Sequence, residues 1–369
     1  MMVKMDQHRF YTGGASAQRS GDLCSEIAYQ ASRATFSFRS GRFGVPYPLS
    51  DGTSSPIRLD VADGYLVKNT DGIGSKVLIA QCAGRHDTVA FDLIAMVADD
   101  AAAIGAEPFA ATNCLDTAVA DPGLVSELFS GLVEACRVAR IAMVGGEIAQ
   151  LGDQVHGRSD NPYIWNADVV GIVEDGKLLD GAALKPEDTI IAVKSRGIRS
   201  NGLTLAMRIL TGRFGEDWCK EPFLQTTWRD KLLTPSLILT DFLVDLWGGY
   251  HTEPRATVHG IVHVTGGGIP GNLRRILRRR RLGAQLEGLY RPQPEFLSLQ
   301  EWGMISDREA YQVWNMGQSH LIITDEPGEV LAFARERGIA CKPAGKITAA
   351  SLIRLNSKGA EEALLEYPL

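Results

Sequence analysis

The sequence predicts two domains of the α+β class. Three observations carry that prediction. The chain has 369 residues, enough to bury two cores. Hydrophobic residues make up 45% and mean hydropathy is -0.04, an ordinary globular composition. Short apolar runs that read as strands alternate with helical stretches, and in each half a strand enters a loop of glycine, hydroxyl and charged residues. A division near Asp175-Gly176, before Asp180-Gly181, gives domains 1–176 and 177–369.

Residues 10–56 are rich in Gly, Ser and Arg, with one helix expected over about Gly21 to Ala34 and loops around Arg39 to Gly44. No lysine occurs between Lys4 and Lys68, so any phosphate-directed cation of this arm is an arginine. The arm reads as a surface loop or as a glycine-rich flap over a ligand. Gly64 to Val67 reads as a strand and Val77 to Ala80 as another. Between them lies Asn69-Thr70-Asp71-Gly72-Ile73-Gly74-Ser75-Lys76. Gly72 and Gly74 let the backbone approach an anion, Lys76 can face a phosphate, and Asp71 can hold a divalent cation. The same eight residues also read as a β-turn with a surface lysine.

A helix is expected from about Val89 to Ile104. Asp92, Met96 and Asp100 share one face of it, with Asp92 and Asp100 roughly 12 Å apart along the axis. Asp99 and Asp100 stand among apolar residues, where adjacent carboxylates are costly unless solvated or paired with cations. Metal binding is preferred here to two acids pointing into solvent. A strand near Phe109 to Cys114 follows. Asp121-Pro122 then supplies an N-cap and a proline at the first position of a helix running to Ala139. The strand Ile141 to Val144 ends in Gly145-Gly146-Glu147, a metal-ligand position or an exposed turn. Asp168 to Val173 reads as a closing strand.

In the second half, Thr189 to Val193 is a strand that leads to Arg199-Ser200-Asn201-Gly202 and an amphipathic helix. Small and hydroxyl residues there form an anion site or simply cap the helix. Pro235 opens a helix from Ser236 to Trp247. His259 and His263 flank a strand that ends in Thr265-Gly266-Gly267-Gly268, before a helix through Leu277. Two histidines four apart on a strand face one side, and the glycine run is punctuation for backbone phosphate binding. Strands near His320 to Ile323 and Leu352 to Leu355, with a helix from Glu329 to Arg337, complete the domain.

Net charge is -6, which argues against general nucleic-acid binding. The arginines at 274, 275 and 278–281 read as a solvated helix face. No apolar run approaches a membrane span, and Met1 to Arg9 lacks the apolar core of a signal peptide, so the expected location is the cytoplasm. None of the six cysteines forms a C-x-x-C pair. The expectation is no zinc motif and no disulfide framework, in keeping with a reducing compartment.

The ordered set resembles the aminoimidazole ribonucleotide synthetase family. It comprises Thr70 to Lys76, Arg85-His86-Asp87-Thr88, Asp100 with Gly105-Ala106-Glu107-Pro108, Gly145-Gly146-Glu147, Ser200-Asn201-Gly202, His259 through Gly268 and Asn315-Met316-Gly317. The likeness runs from about residue 60 to 350. It departs where the family usually has Asn before the aspartate (here Asp99) and His before Ser-Asn-Gly (here Arg199). It departs again at Ile148, Gln150 and Ser319. The resemblance implies an N-terminal sheet domain that pairs with its copy into a dimeric barrel, and a C-terminal α/β sandwich-like domain. It implies ATP-dependent cyclisation of formylglycinamidine ribonucleotide in purine biosynthesis, with Mg²⁺, in a homodimer. The roles it implies are these. Asp71, Asp100 and Glu147 hold metal. Asp71, Gly72, Gly74, Ser75, Lys76 and Asp92 bind nucleotide. Arg199, Ser200, Asn201, Gly202, Thr265, Gly266, Gly267 and Gly268 bind substrate. Lys76, His259 and His263 serve catalysis. The departures motivate one alternative, a non-catalytic or divergent ATP-binding homologue.

Overall fold

The computed structural model describes residues 23–24, 27–28, 30–39 and 64–369. Most of the expected arm therefore lies outside the described residues. The described positions of the first helix, α1 (23–24, 27–28 and 30–34), are helical as expected. Four strands build the first sheet: β1 (Tyr65–Gly72), β2 (Glu107–Thr117), β3 (Ala142–Gln150) and β4 (Tyr163–Val173). Their order is β1-β4-β2-β3, antiparallel except for β2 with β3. Three helices pack on one face: α2 (Lys76–Ala83), α3 (Val89–Ala103) and α4 (Pro122–Ala139).

The opening stretch differs from expectation in two ways. Asn69 to Gly72 continues β1 rather than turning, paired through Asp71 with Ala167 and through Gly72 with Asn166. Val77 to Ala80 is not a strand but the body of α2. A four-residue apolar run has no period that separates strand from helix. Tertiary burial of Lys76, Val77, Ile79 and Ala80 settles it. At α4 the reading from sequence is met: the Asp121 side chain accepts from the backbone N–H groups of Gly123 and Leu124, with Pro122 at the first position.

The second sheet has seven strands: β5 (Thr189–Lys194), β8 (Gly260–His263), β9 (Gly283–Leu286), β10 (Gln318–Thr324), β11 (Cys341–Thr348), β12 (Leu352–Asn356) and β13 (Leu364–Pro368). They run in the order β13-β12-β9-β11-β5-β10-β8. A two-strand ribbon, β6 (Pro222–Phe223) with β7 (Thr226–Thr227), stands apart. The helices of this half are α5 (Leu203–Phe214), α6 (Trp228–Leu232), α7 (Thr240–Trp247), α8 (Gly268–Leu277), α9 (Pro294–Gly303), α10 (Asp307–Val313) and α11 (Pro327–Glu336). Helix α7 is shorter than the expected Ser236 to Trp247.

One hydrophobic cluster runs through both halves, from Leu93 and Trp165 to Leu203, Phe296 and Ile347. Ion pairs add to the join: Arg140 at the end of α4 pairs with Asp241 and Asp245 of α7, which Arg337 also holds. The arginine run is largely exposed, as expected of a solvated face, with three of its members tied to neighbouring segments. Arg279 pairs with Asp180, while Arg274 and Arg280 donate to the carbonyls of Pro368 and Ala182.

A disulfide overturns the expectation drawn from cysteine spacing. Cys82 of α2 is bonded to Cys219, 137 residues on. Spacing rules find local motifs, and this link is made only by the packing of α2 on the second half. Closing so long a loop restricts the unfolded chain by at most about 5 kcal/mol. Reductant should therefore lower the melting temperature of the wild-type protein and leave Cys82→Ser unmoved, as measured by thermal unfolding with and without dithiothreitol.

Candidate functional site

The site forms where α3 lies between the two sheets. This helix packs on β1, β2 and β4 on one side and on α7 and β8 on the other. It carries Asp92 and Asp99, both fully buried, and Asp100, whose side chain keeps 34% of its exposure.

The buried acids are balanced inside the protein. Lys76 Nζ lies 2.9 and 2.8 Å from the two Asp92 oxygens and donates to the Thr234 carbonyl at 2.7 Å. Ser236 and Ser200 also donate to Asp92, at 2.6 and 3.3 Å. Burial pushes the Lys76 ammonium toward its neutral form and Asp92 opposes it. Lys76 and Asp92, expected at the nucleotide, are thus a fully buried pair in this structure. A lysine so close to a glycine turn reads as phosphate-facing only while its partner sixteen residues away is unseen. Asp99 Oδ1 accepts from Thr240 Oγ1 and the Leu239 N–H at 2.7 and 3.0 Å, and its Oδ2 lies 4.0 Å from Arg199. Burial raises Asp99 to about 7, with Arg199 acting against the shift.

Arg199, expected at the substrate, is 3% exposed with a left-handed backbone (φ 65°). Its guanidinium reaches His263 Nε2 at 2.6 Å and the carbonyls of Val264 and Ser319, both at 3.4 Å. His263 Nδ1 in turn lies 2.6 Å from Asp100 Oδ1. His320, read from sequence only as the start of a strand, stacks on His263 with centroids 4.4 Å apart and planes 4° apart. Among the described residues, Asp99, His263 and His320 are the one trio of metal-ligand type whose atoms approach within 4.8 Å. The Arg199 guanidinium already supplies the cation there.

Asp71 and Asp100 are the acids left toward the cleft. Asp71, half-buried at the end of β1, has its carboxyl raised by burial, with Asp100 adding to the rise and the Gly72 N–H opposing. Burial raises Asp100 to about 6, against Arg199 and Arg275. Two carboxylates that feel each other and, among the described residues, form no ion pair with a lysine or arginine fit a divalent ion. The backbone around them is close-set. Gly74 (φ 68°) comes within 4.0 Å of the Ser200 carbonyl at its would-be Cβ, and Gly266 within 3.6 Å of Asn201 in the same sense. Ser75 accepts from Thr204 at 3.1 Å. Gly202 (φ 74°) is fixed by Trp314, whose ring N–H donates to its carbonyl. Gly266 and Gly267 are exposed just ahead of α8, and Asn272 ties the loop by donating to the carbonyls of Thr265, Gly266 and Gly268. Gly268 (φ 60°) admits no side chain, since a Cβ would lie 1.9 Å from the Tyr311 carbonyl. Thr265 is buried against Asn272.

Two expected residues fall elsewhere. His259 sits at the far end of its strand, with Nδ1 2.8 Å from Asp188 and Nε2 3.7 Å from Asp325; four strand residues separate it from His263 by roughly 13 Å. Glu147 is exposed on β3, in register with Cys114 and Asn166. Those residues line the open face of the sheet, whereas Asp71 lies on the helix-covered face at the opposite edge, about 14 Å away by strand spacing. Within one chain Glu147 therefore cannot share an ion with Asp71.

Comparison with known proteins gives the family and a like fold. Residues 56–173 match the AIR synthase related protein, N-terminal domain, and residues 185–357 its C-terminal domain. The chain is 34% identical over 297 residues to a phosphoribosylformylglycinamidine cyclo-ligase of Methanothermobacter thermautotrophicus, covering 78% of this chain and 81% of the relative. In fold it resembles thiamine-monophosphate kinase from Stenotrophomonas maltophilia (TM-score 0.62, 17% identity, 88% of this chain and 95% of that one). It also resembles the hydrogenase maturation protein HypE in complex with ATP (TM-score 0.61, 15% identity, 97% and 96%).

Asp92→Asn should leave the Lys76 ammonium buried without its counter-ion and cost about 3–5 kcal/mol. Urea unfolding measures that loss, and Lys76→Met added to Asp92→Leu should recover much of it. By the matched domains and the extent of the shared sequence, the chain belongs to the phosphoribosylformylglycinamidine cyclo-ligase family of AIR synthase related proteins.

Proposed function

We infer that the protein is an ATP-dependent ligase of purine biosynthesis that closes formylglycinamidine ribonucleotide to aminoimidazole ribonucleotide. Family membership supplies the reaction. The observation that carries it to this chain is the arrangement of acids: Asp92 and Asp99 are spent on Lys76 and Arg199, while Asp71 and Asp100, among the described residues, form no ion pair with a lysine or arginine.

ATP supplies the phosphoryl group that turns the formyl amide oxygen into a leaving group. An amidine nitrogen then attacks that carbon, phosphate departs, and the ring closes. Such transfer asks the protein for positioning and charge neutralisation more than for covalent help. In this reading Asp71 and Asp100 hold Mg²⁺. The N–H groups around Gly72, Gly74, Gly266 and Gly267, with Ser75 and Asn201, bind the phosphates and the substrate. With the expected division near 176, the two carboxylates belong to the first domain and the glycine loop before α8 to the second.

The homodimer remains part of the proposal. The open face of the first sheet exposes Leu66 (64%) and Ile164 (47%), apolar area that a second copy would cover. A copy seated there is also the arrangement in which Glu147 could approach a cation bound by another chain. Light scattering should give twice the 40.0 kDa chain mass, and Leu66→Arg should shift it toward one.

Purified protein given formylglycinamidine ribonucleotide, ATP and Mg²⁺ should release ADP and the aminoimidazole product. Asp71→Asn should abolish turnover while leaving the melting temperature nearly unchanged. Nucleotide binding without ADP release in the wild type would favour the non-catalytic homologue instead. Because Asp100 titrates at about 6, protonation competes with the metal as pH falls through that value. The Mg²⁺ concentration for half-maximal rate should therefore rise below pH 6.

A further inference from the structure

We propose that Arg199 and His263 form a positioning relay that fixes the carboxylate of Asp100 toward the cleft. The inference rests on Asp100 as a metal ligand. It concerns two residues whose polar atoms are spent inside the protein rather than on substrate.

The hydrogen-bond roles follow from donor chemistry. A guanidinium only donates. The 2.6 Å contact between Arg199 Nη2 and His263 Nε2 therefore makes Nε2 the acceptor. The ring proton lies on Nδ1, which donates to Asp100 Oδ1 at 2.6 Å. One tautomer of a neutral imidazole satisfies both contacts. Without Arg199 the tautomer with the proton on Nε2 becomes accessible, and in that form Nδ1 cannot donate to Asp100.

Arg199 is itself held. Its Nη1 donates to two carbonyls, its Nε lies 3.5 Å from Ser236 Oγ, and Asp99 stands 4.0 Å away. The His320 ring lies parallel to His263 and fixes its plane. Both His320 nitrogens are buried without a hydrogen-bond partner; Nε2 lies 3.8 Å from Asp99 Oδ2, so toward His263 the contact it contributes is stacking. The chain of contacts starts in the interior and ends on the one acid of α3 that keeps an exposed edge. With Oδ1 bonded to His263, Oδ2 is the oxygen left for an ion. Outer partners of this kind typically change metal affinity by about 10–100-fold when removed.

The test is direct Mn²⁺ binding to the protein, read from the free-ion electron paramagnetic resonance signal without nucleotide or substrate. Asp100→Asn should weaken binding most. His263→Leu should weaken it by about 10–100-fold, and His263→Asn, which keeps an N–H near the Nδ1 position, should recover most of that loss. Arg199→Met should fall between. Asp100→Asn combined with His263→Leu should be no weaker than Asp100→Asn alone. Should His263→Leu fail to fold, His263→Gln takes its place, since its amide sits near Nε2 and cannot reach Asp100. Unchanged Mn²⁺ binding in Asp100→Asn overturns the ligand reading and the relay with it. Weakened binding in Asp100→Asn but not in His263→Leu, or equal weakness of His263→Asn and His263→Leu, overturns the relay alone.

Discussion

Neutralising the charge on one buried helix is the constraint around which this structure is built. Helix α3 lies between the two sheets, and two of its three aspartates have no access to water. An isolated buried carboxylate costs several kcal/mol, so each needs a cation at hand. Lys76 comes from the start of α2 for Asp92, and Arg199 comes from the loop after β5 for Asp99. The first cation is contributed by one half of the chain and the second by the other. Lys76 also donates to Thr234 of the second half. The charge balance thus fixes how the two halves meet, and the cleft with Asp71 and Asp100 lies at that seam.

The fold was legible from sequence where a local signal was strong. Asp121-Pro122 set the start of α4, and the length of α3 followed from its apolar run. The signal failed where tertiary contact decides. Val77 to Ala80 has no period of its own, and burial of Lys76, Val77, Ile79 and Ala80 against the rest of the fold decides for a helix. The Cys82–Cys219 bond joins residues that no spacing rule relates. The motifs identified the residues of the site better than their orientation. Asp71, Asp100 and the glycine loop before α8 do come to the seam. Lys76, Asp92, Arg199 and Ser200 are in the same region but turned toward one another. Glu147 does not join Asp71 within one chain for a geometric reason: its order along the chain hides that β3 and β1 are opposite edges and that the two acids point to opposite faces.

The same reasoning bears on the positions that depart from the family pattern. Asp99 in place of Asn adds a negative charge to the interior, and Arg199 in place of His adds a positive one. Without Arg199, burial would hold Asp99 further toward its neutral form; without Asp99, Arg199 would lose the first of the three acids that offset its burial. Together they face each other at 4.0 Å, and the guanidinium also takes up His263. Two departures that look like independent losses of function are then one coupled exchange that keeps the interior neutral. The exchange stops short of Asp71 and Asp100, the acids on which ion binding depends. That is the pattern expected of a chain that has rebuilt the support behind its site while keeping the site's chemistry. It weighs against the non-catalytic reading that the same departures first motivated.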